Sequence, residues 1–165
     1  MASLKTVLWY SSVLRANNGT DETMPSLYHM GITVENLEES VAFYRDVVGL
    51  KEIPESSNLE ISGVWFDQLT ENDGAKLRVS HLDLAGVQLQ LVEYAAAGGE
   101  RLPLKHKMIG NPHLCVDMES ITERHAALVE EGRYRVSPIV TIADTSIRSF
   151  YVTDPNGVLV EFIER

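Results

Sequence analysis

Two stretches of this chain carry the same pattern: HMGITVEN, His29–Asn36, and HLCVDMES, His113–Ser120. Each opens on a histidine and alternates in the manner of a half-buried strand. Seven positions after the histidine comes a residue suited to cap a helix, Asn36 in one stretch and Ser120 in the other, with Glu39 and Glu123 three further on. That is the capping-box spacing, in which a side-chain oxygen and a carboxylate satisfy the first amides of a helix. The segments that follow, LEESVAFYRDVVG and ITERHAALVEEG, have apolar residues at helical spacing. Val41, Phe43, Tyr44, Val47 and Val48 are expected to face inward in the first, and Ile121, Ala126, Leu128 and Val129 in the second. Gly49 and Gly132 suit the left-handed position that closes a helix.

The ends of the two halves match as well. GVQLQLVE (Gly86–Glu93) and GVLVEFIE (Gly157–Glu164) each leave a Gly-Val pair as period-two strands, with a polar residue four positions after the glycine: Gln90 and Glu161. DPNG, Asp154–Gly157, is a strong turn and joins IRSFYVT to VLVEFIE as a hairpin. LRVSHLDL, Leu77–Leu84, plays the same part in the first half. The chain therefore reads as α+β, a tandem repeat of one βαβββ unit. Module one is expected over 27–95, a linker over 96–109 and module two over 110–165, all within a single domain of residues 25–165. Residues 1–24 end in the polar stretch RANNGTDETMP and are expected to be a tail or accessory segment.

The totals narrow the function classes. A formal net charge of −10, from 14 Lys+Arg against 24 Asp+Glu, repels phosphate backbones, so nucleic acid is not an expected partner. No stretch approaches the roughly 20 apolar residues that cross a bilayer. One cysteine, Cys115, excludes an intrachain disulfide and a thiolate metal cluster, and fits a cytoplasmic location.

YHMGITVENLEESVAFYRDVVGL and FYVTDPNGVLVEFIE resemble the vicinal-oxygen-chelate superfamily, which includes glyoxalase I, methylmalonyl-CoA epimerase, extradiol dioxygenases, fosfomycin-modifying enzymes and bleomycin-binding proteins. The resemblance spans Leu27 to Arg165. It implies a cup-like open barrel of paired modules, a homodimer, a small-molecule substrate, and a divalent metal ion (Co, Ni, Zn, Mn or Fe). Carried onto this chain, the family's ligand positions are His29, Gln90, His113 and Glu161. The residues support that choice, since all four are polar positions in apolar strands at equivalent places in the two halves. Two imidazoles, an amide oxygen and a carboxylate suit a borderline-to-hard divalent cation. Glu93 lies an odd number of positions from Gln90 and so faces the other way; its partner in the repeat is Glu164.

Among the remaining titratable residues, His81 is next to the Gln90 strand and is a possible catalytic acid or base beside Glu161. Cys115 shares a face with His113 as pocket wall, and His106 and His125 look exposed. The ligand pattern is closest to methylmalonyl-CoA epimerase, which implies an isomerase or epimerase, or a glyoxalase-like lyase, that stabilises an enolate of a small carbonyl or carboxylate, an acyl-CoA included. No residue between Glu60 and Leu84 supplies a convincing second base. An Fe(II) extradiol-type dioxygenase is the alternative, with Tyr151 ten residues before Glu161 but no histidine in SPIVTIADTSIRS. A metal-free binding or resistance protein is the third reading, with Trp65, Phe66, Tyr28 and Tyr94 available for stacking. The loop ESSNLEISGVWFDQLTENDGA is expected to shape the pocket.

Overall fold

A computed structural model describes residues 25–95, 101–102 and 104–165; the segment expected as a tail, 1–24, lies outside them. The chain divides into two compact units between Gly99 and Glu100, inside the stretch read as a linker.

In the first unit, β1 (His29–Thr33) leads into α1 (Leu37–Ala42), which continues as a wider π-type turn over Phe43–Val47. The strands β2 (Lys51–Glu52), β3 (Leu59–Ser62), β4 (Lys76–Leu84) and β5 (Val87–Tyr94) follow. The sheet order is β1-β5-β4-β2, and β2 and β3 share the outer edge of β4 end to end. β1 runs parallel to β5, while β4 and β5 form the antiparallel hairpin. The second unit repeats the plan with β6 (His113–Asp117), α3 (Ile121–Glu131), β7 (Val140–Thr141), β8 (Arg148–Thr153) and β9 (Leu159–Glu164), ordered β6-β9-β8-β7. The fold is α+β, two sheets of repeated βαβββ connectivity, as the sequence implies.

Period-two alternation decides which face is core. In the first unit Ile32, Leu82, Leu89 and Leu91 point to one side and are buried with Leu37, Val41, Phe43, Tyr44, Val47 and Val48 of the helix, every one of the inward positions expected there. In the second unit Phe150, Val152, Val160 and Phe162 do the same against Ile121 and Leu128, and the rings of Phe150 and Phe162 stack 5.1 Å apart. Two expected core positions on α3 are corrected: Ala126 is exposed and Val129 is 55% exposed. His125, expected to be exposed, is instead half-buried, holding the Ser137 carbonyl at 2.9 Å and lying edge-on to Phe150. It occupies the helix face that Val129 was expected to fill.

The two helix starts differ. Asn36 accepts from the Glu39 amide at 2.8 Å, the cap expected. Ser120 sits at φ 62°, and its side chain caps nothing. Its amide is held by Glu164 from β9, and Glu93 from β5 holds the Leu37 amide at the matching place in the first unit. Each of these carboxylates also pairs across its hairpin with an arginine, Glu93 with Arg78 and Glu164 with Arg148. Glu93 and Glu164 are thus structural, on the face opposite the expected ligands.

The stretch read as a loop over 55–75 holds β3 and a second short helix, α2 (Val64–Thr70). Ile61, Phe66, Ala75, Leu77 and Val79 form a separate small core there. Alternation along β4 sets Leu77 and Val79 on the same face as His81, so α2 and β3 cover one end of the face that carries the expected ligands. Among the described residues no helix is long and apolar enough to cross a membrane.

Candidate functional site

Each unit places its expected pair on one face of its sheet. In the first, His29 pairs with Gln88 across β1 and β5, and Gly31 with Gln90, so His29 and Gln90 are diagonal neighbours. The His29 Nδ1 is buried with no hydrogen-bond partner among the described residues. The Gln90 Oε1 lies over Gly31, 3.7 Å from where a β-carbon there would sit.

His81 stands directly opposite Gln90 in the hairpin and is fully buried. Its Nδ1 lies 3.3 Å from the Ser56 carbonyl oxygen, and its Nε2 lies 3.0 Å from the Gln90 side-chain nitrogen. A carbonyl can only accept, so Nδ1 carries the proton and Nε2 presents its lone pair to the Gln90 amide N–H. Burial, with the His29 charge adding to it, lowers the His81 pKa and keeps the ring neutral, whereas the bond to the Ser56 carbonyl opposes that shift. The expectation that His81 reaches the cup as an acid or base gives way to this geometry. Both its ring nitrogens are engaged, and it turns the Gln90 oxygen away from itself.

The second unit builds around Glu161. Its Oε1 accepts from the Ser149 hydroxyl at 2.6 Å and its Oε2 from the Tyr151 hydroxyl at 2.9 Å. The His113 Nε2 lies 3.6 Å from Oε2. Cys115, opposite Glu161 in the parallel pair, has its thiol pKa pushed up by burial first and by the Glu161 charge and hydrogen bond second. Burial and then the Glu161 bond raise the Tyr151 phenol to about 12, so it stays a protonated donor across the working range. The His106 ring meets Tyr151 edge-on with centroids 4.5 Å apart, and the His113 ring does so at 5.9 Å.

The repeat extends to these supports. Tyr151 stands opposite Glu161 across its hairpin as His81 stands opposite Gln90, and each bonds the side chain it faces. Sequence reasoning did not single out Ser149, and gave His106 only as exposed, which it is. The register set by the DPNG turn would have found Ser149, two positions from Tyr151 on the same face. Nothing in the sequence marks His106, which a turn after Lys105 brings to the Tyr151 ring.

Within each unit the donor types are of the kind a divalent ion accepts. A carboxylate offers about four lone-pair directions, so Glu161 retains accepting capacity beside its bonds. Gln90 has its oxygen presented rather than its nitrogen, and His29 has an unpartnered ring nitrogen. Among the described residues no three His, Cys, Asp or Glu side chains group as a metal centre; each unit by itself supplies fewer than three such donors at the expected positions.

A family model described as the Glyoxalase/Bleomycin resistance protein/Dioxygenase superfamily matches residues 26–162. A 2-epi-5-epi-valiolone epimerase from Actinomyces sp. is 28% identical over 144 residues, which is 84% of this chain and 78% of that protein. The uncharacterized protein YwbC of Bacillus subtilis (strain 168) is 21% identical over 83% of this chain and 95% of its own length. Among solved structures, a glyoxalase family protein from Bacillus cereus superposes with a TM-score of 0.74 at 16% identity, covering 89% of this chain and 98% of that one. A genomically encoded fosfomycin resistance protein from Listeria monocytogenes gives 0.57 at 16% identity, covering 87% and 95%. The chain belongs to the glyoxalase/bleomycin resistance protein/dioxygenase superfamily.

Proposed function

We propose that this protein is a divalent-metal-dependent isomerase or epimerase that stabilises the enolate of a small carbonyl or carboxylate substrate, with His29, Gln90, His113 and Glu161 as the metal ligands. The observation that carries the reading is the duplicated support. The ligand position on the last strand of each unit is held by a hydrogen-bonding side chain directly across its hairpin, His81 for Gln90 and Tyr151 for Glu161. Metal ligands are oriented in this way by outer partners. The relative named as an epimerase supports the class of reaction.

The ion, when bound, supplies a Lewis acid for the oxygen on which enolate charge appears. The chain supplies the rest. Ser149 and Tyr151 donate to the two Glu161 oxygens and so orient the carboxylate, which can take up a proton from the carbon beside the carbonyl and return it. His81 fixes the face of the Gln90 amide, and Cys115 with Tyr151 forms wall around the carboxylate. Exchange of a substrate C–H for deuterium in heavy water tests this directly. Candidate α-hydroxy ketones and 2-substituted carboxylates should exchange with wild type plus metal, and Glu161→Gln should slow exchange by about 10²–10⁴-fold. Exchange at the wild-type rate in Glu161→Gln would remove Glu161 from the chemistry.

One observation favours a second reading, the iron-dependent ring-cleaving dioxygenase. The histidine absent from SPIVTIADTSIRS is matched in space by His106 against Tyr151. Oxygen uptake with catechols by the Fe(II)-loaded protein, lost in His106→Ala, would select it over the isomerase.

A further inference from the structure

We propose that a cavity beside Tyr151 binds an anionic oxygen group, a carboxylate or phosphate, through Arg135 and Thr153, and that this group belongs to the molecule on which Glu161 acts. The second half of the statement rests on the function proposed above; the first does not. The cavity, of about 220 Å³, is lined by His106, Arg135, Val136, Ser137, Tyr151 and Thr153, all in the second unit. That volume is below the 300–1,000 Å³ range usual for drug-sized ligands, and suits one charged group with a few attached carbons.

Its polar wall comes from backbone pairing. Val136 bridges Val152, the Thr153 amide donates to the Arg135 carbonyl at 3.0 Å, and the Ser137 amide to the Tyr151 carbonyl at 2.8 Å. The segment 135–137 thus extends the sheet beside β8. Alternation then puts Arg135 and Ser137 on the face of Tyr151 and Thr153, which is the face of Glu161. The Ser137 hydroxyl is already engaged, taking the Tyr151 amide and donating to the Pro138 carbonyl. Arg135 and Thr153 are different. Neither side chain has a hydrogen bond or ion pair among the described residues.

Among the described arginines that is unusual. Arg45, Arg78, Arg148 and Arg165 each hold a carboxylate, and Arg101, Arg124 and Arg133 each have a contact of their own. With 24 acidic residues in the chain, an arginine that pairs with none of the described ones while lining a cavity that contains no carboxylate is a local positive site in a negative field. A guanidinium presents a fork of N–H donors matched to carboxylate and phosphate oxygens, and the Thr153 hydroxyl adds a donor. The Tyr151 ring forms one wall of the cavity and its hydroxyl reaches Glu161, so an anion seated there is one phenol ring away from the carboxylate. This gives the substrate class a second feature besides its acidic C–H: a negatively charged arm.

The test uses the full chain after chelator treatment, titrated with inorganic phosphate and separately with acetate, followed by amide chemical shifts. Wild type should bind at least one of the two at millimolar concentration. Arg135→Gln should weaken it tenfold or more, Thr153→Val about threefold, and Arg133→Gln, on the adjacent turn, not at all. The tighter of the two anions distinguishes a phosphate arm from a carboxylate arm. Equal binding by wild type and Arg135→Gln, no binding by wild type, or binding that requires added metal would each overturn the proposal; Thr153→Val provides the reading if Arg135→Gln does not fold. Metal uptake is measured on the same samples. Arg135-dependent anion binding by a wild type that takes up no metal would keep this site while sinking the metal-enzyme reading.

Discussion

At the scale of the residue, one proton on one ring sets the direction of an amide. His81 donates from Nδ1 to the Ser56 carbonyl, and this alone makes its Nε2 an acceptor that holds the Gln90 nitrogen and leaves the Gln90 oxygen presented. His81→Leu keeps the volume and removes both bonds. Metal affinity is expected to fall about 10–100-fold, the range for loss of an outer partner, with the unpaired carbonyl and amide costing about 1–3 kcal/mol of stability. Equilibrium dialysis against Zn²⁺ and urea unfolding measure the two separately. Tyr151→Phe makes a cleaner subtraction. The difference between the ultraviolet titrations of wild type and variant should isolate one phenol ionising at about 12; a difference curve centred near the ordinary tyrosine value, about 10, would deny the bond to Glu161. The four positions proposed as ligands stood out in the sequence because they recur. The role of His81 was not, because its partners come from a turn and from the next strand, and only the folded register shows that no face of the ring is left for a substrate.

At the scale of the element, each unit ties its helix to its sheet with a carboxylate from the last strand. Glu93 and Glu164 take helix-start amides while pairing with Arg78 and Arg148. The Glu164 pKa is lowered, first by its hydrogen bond to Arg148 and also by its charge and by the Ser120 and Ile121 amides. A carboxylate whose pKa drops on folding contributes stability above its ordinary value, and that contribution disappears as pH falls through the lowered one. Wild type should therefore be more stable than Glu164→Gln near neutral pH, and the gap should narrow below about pH 4, as read by urea unfolding at both. A gap that widens in acid would contradict the assignment. Ser120 shows why this was hidden. The sequence offers a Ser-x-x-Glu capping box, but the residue sits in a left-handed conformation and its amide is taken by a strand residue 44 positions away. Tertiary structure overrode a local signal. The same holds for β3 and α2, too short to announce themselves by period and assembled by the small core of Ile61, Phe66 and Leu77. The second hairpin, by contrast, followed directly from the turn chemistry of DPNG.

At the scale of the whole chain, duplication is what made the sequence readable. Two copies of one pattern pointed to the fold and to equivalent polar positions before any contact was known, and the family match over residues 26–162 agrees with that fold. The core faces were legible for the same reason. Phe162→Ala, which empties a fully buried stacked position in the second unit, is expected to cost about 3–5 kcal/mol in urea unfolding. The proposed anion site was not legible, since Arg135, Thr153 and His106 carry no periodic signature. The central claim is that His29, Gln90, His113 and Glu161 hold a divalent ion, and elemental analysis after reconstitution tests it most directly. Wild type should carry about one Co, Ni, Zn, Mn or Fe per chain, and His113→Ala, folded by circular dichroism, should lose it. A wild type that takes up no metal, or a His113→Ala variant that keeps a full complement, would contradict the claim.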